Sequence, residues 1–294
     1  MSIAVIGAGK WGRALQFAIS KNSTCMITSR TKREIENFVT LKEALKCEYL
    51  VFTIPSQVVS EWLENNFVYS GQKILVAAKG IERKSGKFLN EIFAKYIPVE
   101  NLAFLSGPSF ASEVIKSLPT AVVINSQNEE LAKEFCSFFP SFIKTYVSDD
   151  VIGAEICGAY KNIIAIASGI CMGLELGNNA RASLISRGLV EMSRFGKAFG
   201  AKDETFMGLS GAGDLFLTAS SELSRNFRVG LELAKSKKIE DILDDLGEVA
   251  EGVLTTEAVL KLSDNNHIYT PIAREVEEIL MGKNPKESLR DLLK

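Results

Sequence analysis

Up to about residue 147, short apolar runs alternate with stretches of helical spacing. Runs at 2–6, 25–29, 49–54, 73–78, 102–105, 121–125 and 143–147 read as strands, and 57–64, 87–96 and 128–139 read as helices between them. Repeated strand and helix with short connections predicts an α/β Rossmann-type domain, a mainly parallel sheet with helices on both faces. After Ser148-Asp149-Asp150, a polar stop suited to a helix cap, the texture changes. Segments 153–173, 180–199, 224–235, 255–262 and 271–281 all show helical spacing, so residues 1–148 are expected to form the sheet domain and 149–294 an all-helical C-terminal domain. No internal repeat or long linker separates them, and a ligand is expected beyond the carboxyl ends of the strands, facing the helices.

The first run leads directly into Gly7-Ala8-Gly9-Lys10-Trp11-Gly12 and then a helical stretch. In this setting the three glycines are a dinucleotide-binding signature. Gly7 permits the tight turn, Gly9 lets a pyrophosphate approach the backbone, and Gly12 lets helix and strand pack closely. The second run ends Thr28-Ser29-Arg30-Thr31-Lys32-Arg33, without the acid that accepts the ribose 2′-hydroxyl of NAD. Arg30 and Arg33 could instead bind a 2′-phosphate, which favours NADP(H) over NAD(H). A solvated helix-start position is the competing reading of Arg33.

Composition narrows the rest. Thirty-four basic against 36 acidic residues leave no footprint for nucleic acid. Five cysteines, odd in number and without a CxxC pair, argue against a disulfide framework or a zinc site and suit a reducing, cytoplasmic setting. The N-terminus lacks a basic region, long apolar segment or cleavage site, and the apolar stretch 163–174 reads as too short and too glycine-interrupted for membrane insertion. The only histidine, His267, sits in a polar segment, so a proton carrier must be sought among Lys, Asp, Glu, Tyr and Cys.

Lys161 is the best candidate. Its neighbours one helical turn away are apolar or small, and burial would lower its pKa toward that of an acid/base group. Asp214, in the glycine-rich Leu209-Ser210-Gly211-Ala212-Gly213-Asp214-Leu215, could orient that ammonium or serve as a helix N-cap. Lys79 ends the fourth strand where a substrate could lie, or is a solvated loop lysine. Ser109, in Ser106-Gly107-Pro108-Ser109-Phe110-Ala111, opens toward the same edge. Ser224-Arg225-Asn226 combines a helix start, a guanidinium and an amide, a local site for a phosphate-bearing substrate.

These motifs, with Ala78-Lys79-Gly80, Lys161-Asn162, Asn178-Asn179-Ala180-Arg181-Ala182 and Val249-Ala250-Glu251-Gly252, occur in an order that resembles the bacterial NAD(P)-dependent glycerol-3-phosphate dehydrogenases over nearly the whole chain. The resemblance implies reversible hydride transfer between NAD(P)H and dihydroxyacetone phosphate, giving sn-glycerol 3-phosphate for glycerophospholipid synthesis, without a metal. It implies that Lys161 transfers the proton, that Lys79 polarises the same oxygen and lies beside the cofactor, and that Asp214 and Thr218 position Lys161 and the substrate. Gly107 and Ser109 would line the substrate, while Ser224, Arg225 and Asn226 would hold its phosphate. Lys10, Trp11, Arg30, Ala111, Val249 and Glu251 would lie along the cofactor, Arg225 would touch both ligands, and the assembly would be a homodimer. The 33–41 stretch is shorter than the family pattern, and Ala212 and Ser220-Ser221-Glu222-Leu223 depart from commoner versions. Two rivals stand beside this reading: a lysine-using 2-hydroxyacid or ketopantoate-type reductase, and an NADP-binding regulator without turnover. The phosphate motif argues against the first and the two lysines with Asp214 against the second.

Overall fold

The computed structural model describes residues 2–247 and 250–292, in two compact units. The first comprises Met1–Lys79 and Phe88–Glu155, the second Gly80–Lys87 and Ile156–Lys294.

Seven strands make one sheet in the first unit: β1 (Ile3–Ile6), β2 (Cys25–Thr28), β3 (Tyr49–Phe52), β4 (Lys73–Val76), β5 (Leu102–Ser106), β6 (Thr120–Asn125) and β7 (Ile143–Ser148). They lie in the order β2-β1-β3-β4-β5-β6-β7. The strands from β1 to β5 are parallel, β6 runs antiparallel to β5, and β7 is parallel to β6. Alternate residues feed two cores. Ile3, Val5, Tyr49, Val51, Leu75, Ala103 and Leu105 bury on one face, and Ala4, Ile6, Leu50, Phe52, Ile74, Val76, Leu102 and Phe104 on the other. A strand covered on both sides needs an unbroken apolar run, which is why these segments stand out in the sequence. The edge strand β7 is the exception, with Tyr146 and Val147 exposed.

Between β2 and β3 the 29–39 segment turns through Ser29, whose hydroxyl donates to the Thr31 carbonyl, and runs back beside β2. Ile27 N–H donates to Asn37 O and Val39 N–H to Ile27 O, covering the sheet edge with paired backbone. Arg33 therefore lies in this irregular segment and starts no helix.

One predicted helix is corrected. Of residues 87–96, only Leu89–Phe93 is α-helix, while Lys87–Phe88 and Ile81–Glu82 form a two-stranded ribbon. Gly86, at φ +68, makes the turn, and its N–H donates to Glu82 O. Helical spacing carried no sign of that turn.

The second unit is helical, with residues 80–87 added to it. Gly177–Lys197, Arg225–Leu233, Glu251–Asn265 and Pro271–Leu280 correspond to predicted helices, and Asp203–Met207, Asp214–Ala219, Ile239–Leu246 and Pro285–Leu292 are additional. The long helix Val151–Gly173 meets Arg225–Leu233 through two glycines. A Cβ on Gly169 would lie 2.1 Å from Phe227 O, and one on Gly230 2.1 Å from Ile166 O, so the backbones approach as only glycine allows. By length and composition this 23-residue helix could cross a membrane, contrary to the reading of its apolar stretch as too short, but 89% of its apolar window is buried in the fold. Burial, not length, is what makes it a core helix.

Candidate active site

In the first unit the candidate residues gather at the carboxyl ends of β1, β4 and β5. The chain leaves β1 through Gly7, at φ +113, whose N–H donates to Thr28 O. Thr53, at the end of β3, donates its hydroxyl to Gly7 O at 2.9 Å and to Ile6 O at 3.1 Å, pinning the turn from a neighbouring strand. A Cβ on Gly12 would sit 1.9 Å from Gly7 O, so the helix Lys10–Ile19 could not pack here with any larger residue. Gly9 differs. An added Cβ would meet nothing within 4 Å, and as the N-cap of this helix Gly9 provides no side-chain cap.

That open backbone, at the positive end of a helix dipole, fits the pyrophosphate of a dinucleotide. Trp11 is half-buried and donates its indole N–H to Ala77 O at 3.0 Å, tying the helix start to the end of β4. Lys10 is exposed beside it, and Arg30 and Arg33 are exposed beyond β2.

Two residues past Ala77, Lys79 reaches the β5 end and donates to Gly107 O at 3.4 Å. Ser109 donates its hydroxyl to the same carbonyl at 3.1 Å. Gly107, at φ +99, presses its Cα against β6, where a Cβ would lie 3.2 Å from Ala121 O. Ala111 begins the short helix Ala111–Val114 and packs against the core. The half-buried Lys79 is thus anchored at the strand ends, not waving in solvent.

In the second unit Lys161, 7% exposed, forms an ion pair with Asp214, which is 1% exposed. Asp214 is the first residue of Asp214–Ala219, and Gly213 holds the N-cap position, so the carboxylate faces the ammonium and does not cap. Thr218, one turn on, donates its hydroxyl to Asp214 O at 2.7 Å and to Asp214 Oδ1 at 3.4 Å. Burying a charge is tolerable only when it is paired, and this pair is built with both members nearly dry. The five-residue π-helical turn Leu209–Gly213 delivers Asp214 into place; a Cβ on Gly211 would lie 2.2 Å from Phe206 O. Such turns inside helices recur at functional sites.

Ser224 caps Arg225–Leu233, accepting from Phe227 N–H at 3.3 Å. Its oxygen is engaged as an acceptor, so its O–H proton can donate. Arg225 is exposed at the first position of that helix. Asn226 is buried, and its Oδ1 accepts the Gly252 N–H at 3.0 Å. That bond fixes the amide orientation and turns the NH2 into the end that can donate to an anion. Glu251 is half-buried at the first position of Glu251–Asn265, and Val249 lies outside the described residues.

Two contributors escaped the sequence reading. Thr53 figured only inside the predicted strand 49–54, and Gly252 only as a motif member. Neither its hydroxyl contacts nor its closeness to Asn226 leaves a local trace.

A mainly parallel sheet with an open glycine turn, and a helical unit carrying a buried Lys–Asp pair, are the parts of a dinucleotide-dependent oxidoreductase. The family model for the C-terminus of NAD-dependent glycerol-3-phosphate dehydrogenase matches residues 150–290, and that for its N-terminus matches residues 30–132. A glycerol-3-phosphate dehydrogenase [NAD(P)+] of Sulfurimonas denitrificans is 64% identical over 99% of this chain and 98% of its own length. One from Campylobacter jejuni subsp. doylei is 62% identical over 100% and 99%. The crystal structure of glycerol-3-phosphate dehydrogenase from Coxiella burnetii superposes with a TM-score of 0.92 at 33% identity, covering 100% of this chain and 98% of that one. The chain belongs to the NAD-dependent glycerol-3-phosphate dehydrogenase family and is an NAD(P)-dependent oxidoreductase. The N-terminal family match begins at residue 30, whereas the full-length relatives also span the glycine turn.

Proposed function

We propose that this enzyme interconverts dihydroxyacetone phosphate and sn-glycerol 3-phosphate, supplying the backbone of glycerophospholipids. The observation that carries the reading is the buried Lys161–Asp214 pair, a proton carrier held by a counter-charge in a chain with one histidine. When bound, the nicotinamide supplies or accepts the hydride at its C4. Lys161 gives a proton to the carbonyl oxygen in reduction and takes the hydroxyl proton in oxidation. Asp214 holds the amine in place through that change of charge, and the Thr218 hydroxyl holds Asp214. Lys79, steadied on Gly107 O, stabilises negative charge developing on the substrate oxygen, with Gly107 and Ser109 lining the substrate.

The substrate phosphate is assigned to Ser224, Arg225 and Asn226, with Arg225 also reaching the cofactor. Gly7, Gly9, Lys10, Trp11, Gly12, Lys79, Ala111, Val249 and Glu251 are assigned to the dinucleotide. Arg30 and Arg33, with no acid between Thr28 and Arg33, support a preference for NADP(H). We place the enzyme in the cytoplasm as a homodimer. The five free cysteines support a reducing compartment, and the dimer rests on the family likeness alone.

The test is NADPH oxidation, followed by loss of its near-ultraviolet absorbance, with dihydroxyacetone phosphate, dihydroxyacetone and ketopantoate in parallel. Turnover with the phosphorylated ketone alone is expected. Turnover with ketopantoate alone would transfer the protein to the hydroxyacid reductases, and cofactor binding with no turnover would make it a regulator.

A further inference from the structure

The helix Glu251–Asn265 begins without a cap of its own. Its N-cap residue is Ala250, which has no side-chain acceptor; the Ala250 carbonyl takes the Val253 N–H at 3.1 Å, and the Gly252 N–H is met from elsewhere in the chain. The acceptor comes instead from 26 residues earlier in the chain: Asn226 Oδ1 takes the Gly252 N–H at 3.0 Å. The approach is close because Gly252 has no side chain. A Cβ there would lie 2.7 Å from Asn226 Oδ1, 3.0 Å from Ile166 Cδ1 and 3.1 Å from Asn162 O, the carbonyl next to Lys161.

An amide has two chemically different ends, and at Asn226 they face different tasks. We infer that Asn226 is a positioning residue for the cofactor as well as a phosphate ligand: its NH2 donates to the substrate phosphate while its Oδ1, as a remote cap, holds the helix start that presents Glu251. This rests on the assignments of Asn226 to phosphate and Glu251 to the dinucleotide made above. Because a single planar group serves both, seating a phosphate on the NH2 steadies the Oδ1–Gly252 bond and the helix start with it. The two ligands are then coupled, and the coupling is reciprocal.

Substitution separates the ends. Asn226→Asp keeps an acceptor for Gly252 N–H and loses the donor; Asn226→Ala loses both. Three readouts are taken on each holoenzyme: KM for dihydroxyacetone phosphate, NADPH affinity by fluorescence titration, and hydrogen exchange of the peptide containing Gly252. In Asn226→Asp, KM is expected to rise by about tenfold or more, with NADPH affinity and Gly252 protection within about twofold of the parent. In Asn226→Ala, NADPH affinity is also expected to fall by about three- to tenfold and protection to drop, the loss of a helix cap. Gly252→Ala, which leaves Asn226 intact but forces it away, is expected to reproduce the loss of NADPH affinity and serves if Asn226→Ala fails to fold. Normal NADPH affinity in both Asn226→Ala and Gly252→Ala, with normal Gly252 protection in Asn226→Ala, would overturn the remote cap. An unchanged KM in Asn226→Asp would instead overturn the phosphate assignment beneath it.

Discussion

In the sheet unit the glycine turn of the candidate site works through backbone, and in the helical unit the candidate site is made of side chains. Gly7, Gly9 and Gly12 are assigned to the cofactor by what they lack, and Gly12 in particular is required by the 1.9 Å clash that any Cβ there would make with Gly7 O. Lys161, Asp214, Thr218 and Asn226 are assigned their roles by what they carry, each brought to its partner by a helix. The contrast suits the division of labour. A dinucleotide's pyrophosphate is held by amides common to every residue, whereas proton transfer needs one particular titratable group at one point.

The comparison predicts opposite failures. Lys161→Ala should lower turnover by about two to four orders of magnitude while leaving NADPH binding near the parent value; a variant of near-normal rate would remove Lys161 from proton transfer. Gly12→Ala should do the reverse, destabilising the sheet unit by about 3 kcal/mol and abolishing NADPH binding, as read by thermal unfolding and fluorescence titration. Cofactor binding at the parent level would mean that the turn tolerates a side chain. Arg225→Ala should raise KM for dihydroxyacetone phosphate by about ten- to a hundredfold with a smaller change in kcat. Equal loss in both constants would place Arg225 in the chemistry instead of the grip.

The smallest effect on activity comes from a group that governs stability at the end of the sheet unit. Burial pushes the Glu155 carboxyl up to about 8 from an ordinary value near 4.5, although the Asn90 and Leu89 N–H groups oppose the shift and nearby Glu91 adds to it. Its Oε1 accepts from Asn90 N–H at 3.0 Å, while its Oε2 is buried without a partner. The folded chain therefore keeps a proton that the unfolded chain has released between pH 4.5 and about 8. The stability this contributes is full below pH 4.5 and is lost as pH rises through about 8. Glu155→Gln should remove that slope, matching the parent at acid pH and exceeding its stability above pH 8 by up to about 5 kcal/mol. Parallel pH profiles of melting would show that Glu155 is ionised in the fold.

Much of this was legible from residue order. Strands covered on both faces need unbroken apolar runs, and together with the partly exposed edge strand β7 all seven sheet strands were visible within two residues of their bounds. Lys161 stood out because a lysine among apolar helical neighbours must be buried. Asp214 stayed ambiguous between cap and counter-ion, since either role suits an aspartate after glycines, and Lys87–Phe88, one strand of the ribbon, was read as the start of a helix because its turn rests on Gly86.

The sequence by itself determined the class of fold, the glycine turn and the inventory of charged groups, because periodicity and residue chemistry are local properties. Only the tertiary structure decided which partner each group has. Asp214 takes Lys161 from 53 residues away, Thr53 pins Gly7 across 46, and Asn226 caps a helix 26 residues on. Such pairings depend on how helices and strands pack, where a tenth of a nanometre separates a hydrogen bond from none and no local pattern records the distance.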